Sequence, residues 1–218
     1  MKKAKTDKPV NVATFTKRHL ALTHFAAKQD VRPTLTGIHI DPDKGIAAAC
    51  DGIILLEMKL GQVPAAEFPP TPGAGQEKVK ECVVPAWAVT SAVKTLAKKT
   101  ALPIIQNVKL TGDGNGKVAL STHDLYTARD NWVDSIPGQF PNYKALIPSH
   151  QKRSSQKHRV VCLSYHVLSH IVKAMGELGA EHVRFQVTAW DKPIRIEMPY
   201  DDGQETATGC VMPVKVQE

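Results

Sequence analysis

The chain lacks any apolar run approaching the roughly 20 residues that a bilayer span requires, so no membrane partner is expected. Its first residues are not expected to act as a signal peptide. Residues 1–9 are basic with no apolar stretch behind them, and they read as a flexible tail. Its four cysteines, Cys50, Cys82, Cys162 and Cys210, contain no CxxC pair. That spacing argues against a zinc ribbon and against a thioredoxin-type redox site. Reduced, buried thiols of a cytoplasmic protein are the expected state. There is no GxSxG, P-loop or GxGxxG, so no motif points to hydrolysis or nucleotide chemistry. Asp51, Asp113, Asp124 and Asp191 sit at turn positions and form no catalytic carboxylate pair. No cofactor is implied.

What is present is a chain of 218 residues, 42% of them hydrophobic, enough to bury a core as one large domain or two small ones. Its formal charge is +7 and its pI about 9.2, a balance that favours polyanions if the charges share one face.

The pattern along the chain repeats. A short strand at 10–12 leads to a helix expected over 17–28, capped by Thr14 or Thr16 and ended by Arg32-Pro33. Its apolar positions are Leu20, Ala21, Phe25 and Ala27; Lys17, Arg18, His24 and Lys28 fall mostly on another face. Strands follow at 35–40, 46–50 and 53–60, and 61–76 is rich in Pro, Gly and Ala, as a linker would be. A second strand at 80–84 precedes Pro85 and a helix over 86–99. Trp87, Val89, Val93, Leu96 and Ala97 form its apolar side, and Lys94, Lys98 and Lys99 its basic side. Strands at 104–110, 117–121 and 126–133 complete that unit. A third unit opens with a strand at 160–163 and a helix over 165–178, between a Ser164 cap and Gly179. Val167, Leu168, Ile171, Val172 and Met175 are its expected buried residues, and strands at 183–188, 194–198 and 208–216 follow. A helix laid on antiparallel strands, three times over, is an internal repeat in an α+β chain. The units divide as 10–60 and 80–135, then 149–218.

Between the second and third units lies 136–148, with three prolines and a glycine beside Ile136, Phe140, Tyr143, Leu146 and Ile147. It cannot continue a helix or a central strand. Its composition fits a connector pinned against packed units and carrying part of a binding surface. It fits equally a surface loop with a few buried anchors.

Several stretches resemble a known family. Arg32-Pro33-Thr34-Leu35-Thr36-Gly37-Ile38 followed by Ala49-Cys50-Asp51-Gly52 is similar to the "RPxLxG … ATDG" signature of the bacterial DNA polymerase III beta subunits, the DNA sliding clamps. Gly138-Gln139-Phe140-Pro141-Asn142-Tyr143 with Ile147-Pro148 is similar to their "GRFPDY … IP", and Val211-Met212-Pro213-Val214-Lys215 to their terminal "VMPMR". The three motifs occur in the family's order and span most of the chain.

The resemblance implies a sliding-clamp fold, with helices lining the hole of a ring and sheets forming its wall. Residues 10–148 would be one full clamp domain of two units with its hinge, and 149–218 a half domain. The family's ring has a dozen units. This chain has three, so four copies would complete one, the odd half domain pairing with its equivalent in another copy. The implied function is a DNA sliding clamp, a non-enzymatic processivity factor on duplex DNA in the cytoplasm and nucleoid of a bacterium, or encoded by a phage. DNA would meet Lys17, Arg18, His24, Lys28, Lys94, Lys98, Lys99, His170 and Lys173. Peptides of DNA polymerase and the clamp loader would enter a pocket of Cys50, Gly52, Ile53, Ile54, Leu55, Pro141, Leu146, Cys210, Val211 and Met212. Two departures stand out: Ile53-Ile54 replaces a His-Arg pair of "DGHRLA", and Pro213-Val214-Lys215 replaces "PMR". The pocket should therefore be more apolar. Two other readings are a clamp-like interaction module that does not encircle DNA, and a metal enzyme built on His166 and His170. That pair has metal-ligand spacing on a helix but lacks an evident third ligand.

Overall fold

The computed structural model describes residues 11–65, 68, 78–96, 103–123, 127–147, 161–189 and 192–214. The first unit contains β1 (Asn11–Phe15), α1 (Leu20–Thr23), β2 (Gly37–Asp41), β3 (Ile46–Cys50), β4 (Ile54–Lys59) and β5 (Gly61–Pro64). The second contains β6 (Cys82–Pro85), α2 (Ala86–Lys94), α3 (Pro103–Gln106), β7 (Val108–Gly112), β8 (Lys117–His123) and β9 (Ala128–Asp134). The third contains α4 (Tyr165–Leu178), β10 (Arg184–Gln186), β11 (Ile194–Tyr200) and β12 (Glu205–Val211).

The strands form two antiparallel sheets. One runs β5-β1-β7-β8-β9 and the other β10-β11-β12-β4-β3-β2-β6. The first two units exchange their opening strands: β1 pairs with β7 of the second unit, while β6 pairs with β2 of the first. The third unit joins through its last strand, β12, which runs antiparallel to β4.

Strand alternation assigns the two faces of the larger sheet. Ile38, Ile40, Ala47, Ala49, Ile54, Leu56 and Met58 face the helices and share one core with Leu22, Val89, Val93, Val167 and Ile171. Ala48, Cys50, Leu55, Val83 and Cys210 face outward. The segment after β9 closes over them, burying Phe140 and Tyr143 in that second cluster. The Ile136 N–H donates to the Val83 carbonyl at 2.8 Å, the Tyr143 hydroxyl donates to Glu57 at 2.6 Å, and Phe140 stacks on His39 with centroids 5.0 Å apart. The segment is thus pinned on the outer face.

Local chemistry moved several expected boundaries. The helix expected over 17–28 is a 3-10 turn, Lys17–His19, followed by the single turn of α1. The Thr23 hydroxyl donates back to the Leu20 carbonyl, a competing bond that weakens helix continuation. The chain then turns so that Phe25 and Ala26 enter the core. The second helix ends at Lys94, with Thr95 similarly bonded to the Ala92 carbonyl; 97–100 lie outside the described residues. Residues 161–163 carry no strand assignment, and the segment expected to link units begins with β5, paired to β1. The third helix matches its expected limits, with the Val167 N–H donating to Ser164 Oγ and Gly179 at φ 70°. Its buried stripe is narrower than expected: Val167, Ile171, Ala174 and Leu178 are buried, whereas Leu168 and Val172 are exposed. Trp87 is exposed too, and of the four free cysteines Cys162 is exposed and Cys82 half-buried.

His19 anchors the start of the first unit. The Thr16 N–H donates to its Nδ1 at 2.9 Å, which leaves the proton on Nε2 to donate to the Lys59 carbonyl, also at 2.9 Å. Both ring nitrogens are satisfied only in the neutral form, and burial pulls its pKa below 6.5. Burial also lowers the pKa of His24. A lowered folded-state value makes the contribution to stability constant above the unfolded pKa. It is lost as pH falls, because the unfolded chain takes up protons the folded chain refuses. Thermal melts should therefore show a lower midpoint at pH 5.5 than at pH 7.5, and the slope should be shallower in His19→Gln. Equal slopes would exclude His19 as the titrating group.

Candidate nucleic-acid and partner-binding faces

Three helices lie side by side on one face of the sheets, with α1 packed against both α2 and α4. In α2 the buried positions are Ala88, Val89, Ala92 and Val93, so at 100° per residue Trp87 and Lys94 project directly away from the sheet. In α4 the same construction projects Tyr165, Ser169, Lys173 and Gly176. Lys28, Lys94 and Lys173 are exposed and Lys17 half-exposed. Lys98 and Lys99 lie outside the described residues.

The other three sequence-predicted cations hold the units together. The Arg18 guanidinium pairs with Asp201 at 2.9 Å and lies 5.3 Å from the centre of the Tyr200 ring, tying the first unit to the β11–β12 turn. His24 faces Glu177 of α4 at 3.7 Å, and His170 Nδ1 bonds to the His24 carbonyl oxygen. The His166 ring lies tilted against that of His170 with centroids 4.4 Å apart, and no group of three metal-ligating side chains occurs among the described residues. Sequence reasoning missed the aromatics of this face: Trp87 is 65% exposed and Tyr165 86%. Trp87 had read as apolar stripe, because a short helix leaves its stripe's angular position underdetermined.

On the opposite face, Cys50, Leu55 and Cys210 line up across β3, β4 and β12 through the pairs Cys50↔Leu55 and Leu55↔Cys210. Burial pushes the Cys210 thiol up to about 11 and raises Cys50 as well, so both are neutral packing groups. At the end of that row Ile53 and Met212 are exposed and joined by a Met212 N–H to Ile53 carbonyl bond of 3.1 Å. Gly52 takes φ 95°, and the Asp51 carboxylate accepts from the Ile53 and Ile54 N–H groups at 2.8 Å, fixing the tight turn that presents Ile53. Leu146 is exposed and Pro141 half-exposed on the closing segment. Ile54 and Val211 face the helix-side core instead. They flank inverted positions of the pleat, so they hold the strip's backbone rather than its surface. A separate groove of about 490 Å³ runs between the closing segment and His39, Asp41, Lys44 and Glu81; of the predicted pocket residues it includes only Pro141.

No protein-family model and no curated protein matches this chain. Solved structures do. A DNA polymerase sliding clamp from Bacillus subtilis aligns with 100% of this chain and 67% of its own, at 13% identity and a TM-score of 0.62. A sliding clamp (DNA polymerase III subunit beta) from Bartonella birtlesii bound to griselimycin aligns with 99% of this chain and 69% of its own, at 16% identity and a TM-score of 0.62. A DNA polymerase III beta subunit from Thermotoga maritima aligns with 100% and 69%, at 13% identity and a TM-score of 0.62. The fold is the sliding-clamp fold, and the chain spans about two thirds of the length of these structures. No helix among the described residues is long and apolar enough to cross a membrane.

Proposed function

We propose that the chain is a DNA sliding clamp: a non-enzymatic ring of several copies that encloses duplex DNA and holds a DNA polymerase to it. The observation that carries this reading is the shared helical face, from which Lys94 of α2 and Lys173 of α4 project away from the sheet, with Lys28 exposed in the loop after α1. Exposed lysines offer phosphates diffuse attraction with no base readout, which suits sliding. The outer strip of Ile53, Leu146 and Met212 over Cys50, Leu55 and Cys210 is the proposed seat for an apolar peptide of the polymerase or the clamp loader. A flexible methionine at its rim suits more than one such peptide. The engagement of Arg18, His24 and His170 in packing reduces the cations left for DNA. That observation favours the second reading, a clamp-like interaction module that does not enclose DNA.

Salt dependence separates the two. Affinity for duplex DNA should fall linearly with salt on logarithmic axes, by about 0.9 per phosphate contact. Combining Lys28→Ala, Lys94→Ala and Lys173→Ala should flatten that slope by about 2.7, scaled by the number of copies bound. An unchanged slope would remove the helical face from DNA binding.

A further inference from the structure

We propose that the third unit completes itself with the third unit of a second copy by a reciprocal exchange of strands. The chain itself supplies the template. In the first two units, the residue before each helix cap pairs across the exchange, Val84 with Ile38 and Phe15 with Val108, and all four face the helix-side core. The third unit has a donor segment and a receiving edge, but no second unit to exchange with among the described residues. β10 is an edge strand whose outer side has no neighbour among the described residues. Phe185, opposite Ile196 and so facing the helix side, is nevertheless 40% exposed. The donor, 161–163, precedes the Ser164 cap as 13–15 precede Thr16. Its Cys162 carbonyl accepts from the Val214 N–H at 2.8 Å, the counterpart of the β1–β5 pairing.

The helix agrees. One flank of α4 is occupied by α1, through His170 and Glu177. The other flank presents Leu168, Val172 and Met175, three and four residues apart, and Val172 is 66% exposed. In the first two units α1 and α2 pack against each other. The partner that fits a free edge, a donor paired on one side only and an apolar helix flank is the same surface of another copy. Matching faces sets the register: Leu163 opposite Phe185 and Cys162 opposite Gln186, in both directions across a twofold axis. The seam specifies one joint of the proposed ring, and only its place in a ring rests on that reading.

The test needs no DNA. Gln186→Cys in the full chain, oxidised at low micromolar concentration, should run as a covalent dimer on a denaturing gel, and adding Cys162→Ser should abolish it. Phe185→Asp should halve the native mass while leaving the far-UV circular dichroism of the folded chain unchanged, since in the single copy the side chain is exposed at an edge. A monomeric wild type at tens of micromolar, a native mass indifferent to Phe185→Asp, or no Cys162-dependent dimer would each overturn the seam. A trapped dimer that fails to stay on closed circular DNA would leave the seam standing and remove the ring.

Discussion

Replacing Gly209 by alanine is expected to open the joint between the first and third units. Gly209 is buried in β12 opposite Leu56, and a Cβ there would lie 1.8 Å from the Leu55 carbonyl oxygen and 2.9 Å from its carbon. Those atoms are backbone, held by β3 on their other side, so no rotamer change relieves the contact. The strands must separate, and the pairs Thr208↔Glu57 and Val211↔Ile54 go with them. Overpacking of a core typically costs up to about 3 kcal/mol; with ladder bonds lost as well, a fall in melting midpoint of roughly 10 °C is expected for a chain of this size. Gly176→Ala is the control. It lies within α4 with nothing inside 4 Å of its added Cβ, and should stabilise by roughly 0.5–1 kcal/mol. A Gly209→Ala protein melting with the wild type would mean that β12 and β4 do not pair as described.

The second large effect is expected at the outer strip. Ile53 and Met212 are exposed, so Ile53→Asp or Met212→Asp should change stability within about 0.5 kcal/mol. A buried carboxylate under an apolar peptide has no partner there, and losing an anchor of this kind costs 2 kcal/mol or more, about thirty-fold in affinity. Calorimetric titration with the peptide by which a bacterial replicative polymerase holds its clamp measures this directly. Unaltered binding in both variants would place the peptide elsewhere, with the groove beside His39 and Glu81 the next surface to test.

How much of this was legible in the sequence depended on the length scale of the signal. Capping and periodicity located α4 to the residue, because Ser164 and Gly179 act within one turn. The repeat showed three units but not the exchange of β1 and β6, since pairing partners lie far apart in sequence and each opening strand looks the same in either sheet. The hinge's composition fitted a pinned connector and an anchored surface loop equally, and the structure supplied the surface on which Phe140 and Tyr143 lie, residues of β3, β4, β6 and β12 with His39 of β2. Charge alone did not reveal that Arg18, His24 and His170 are engaged between units. A cation's partner is fixed by tertiary contacts, here Asp201, Glu177 and the His24 carbonyl. Motif matching likewise could not show that Ile54 and Val211 lie on the helix side of the pleat, opposite Leu55 and Cys210.

Retention on DNA of different topology tests enclosure most directly. The protein, loaded onto a closed circular plasmid by whatever loader serves it and washed in high salt, should stay bound, and should be released when a single restriction cut creates ends. Release from the intact circle at the same rate as from the cut plasmid would contradict a ring around DNA.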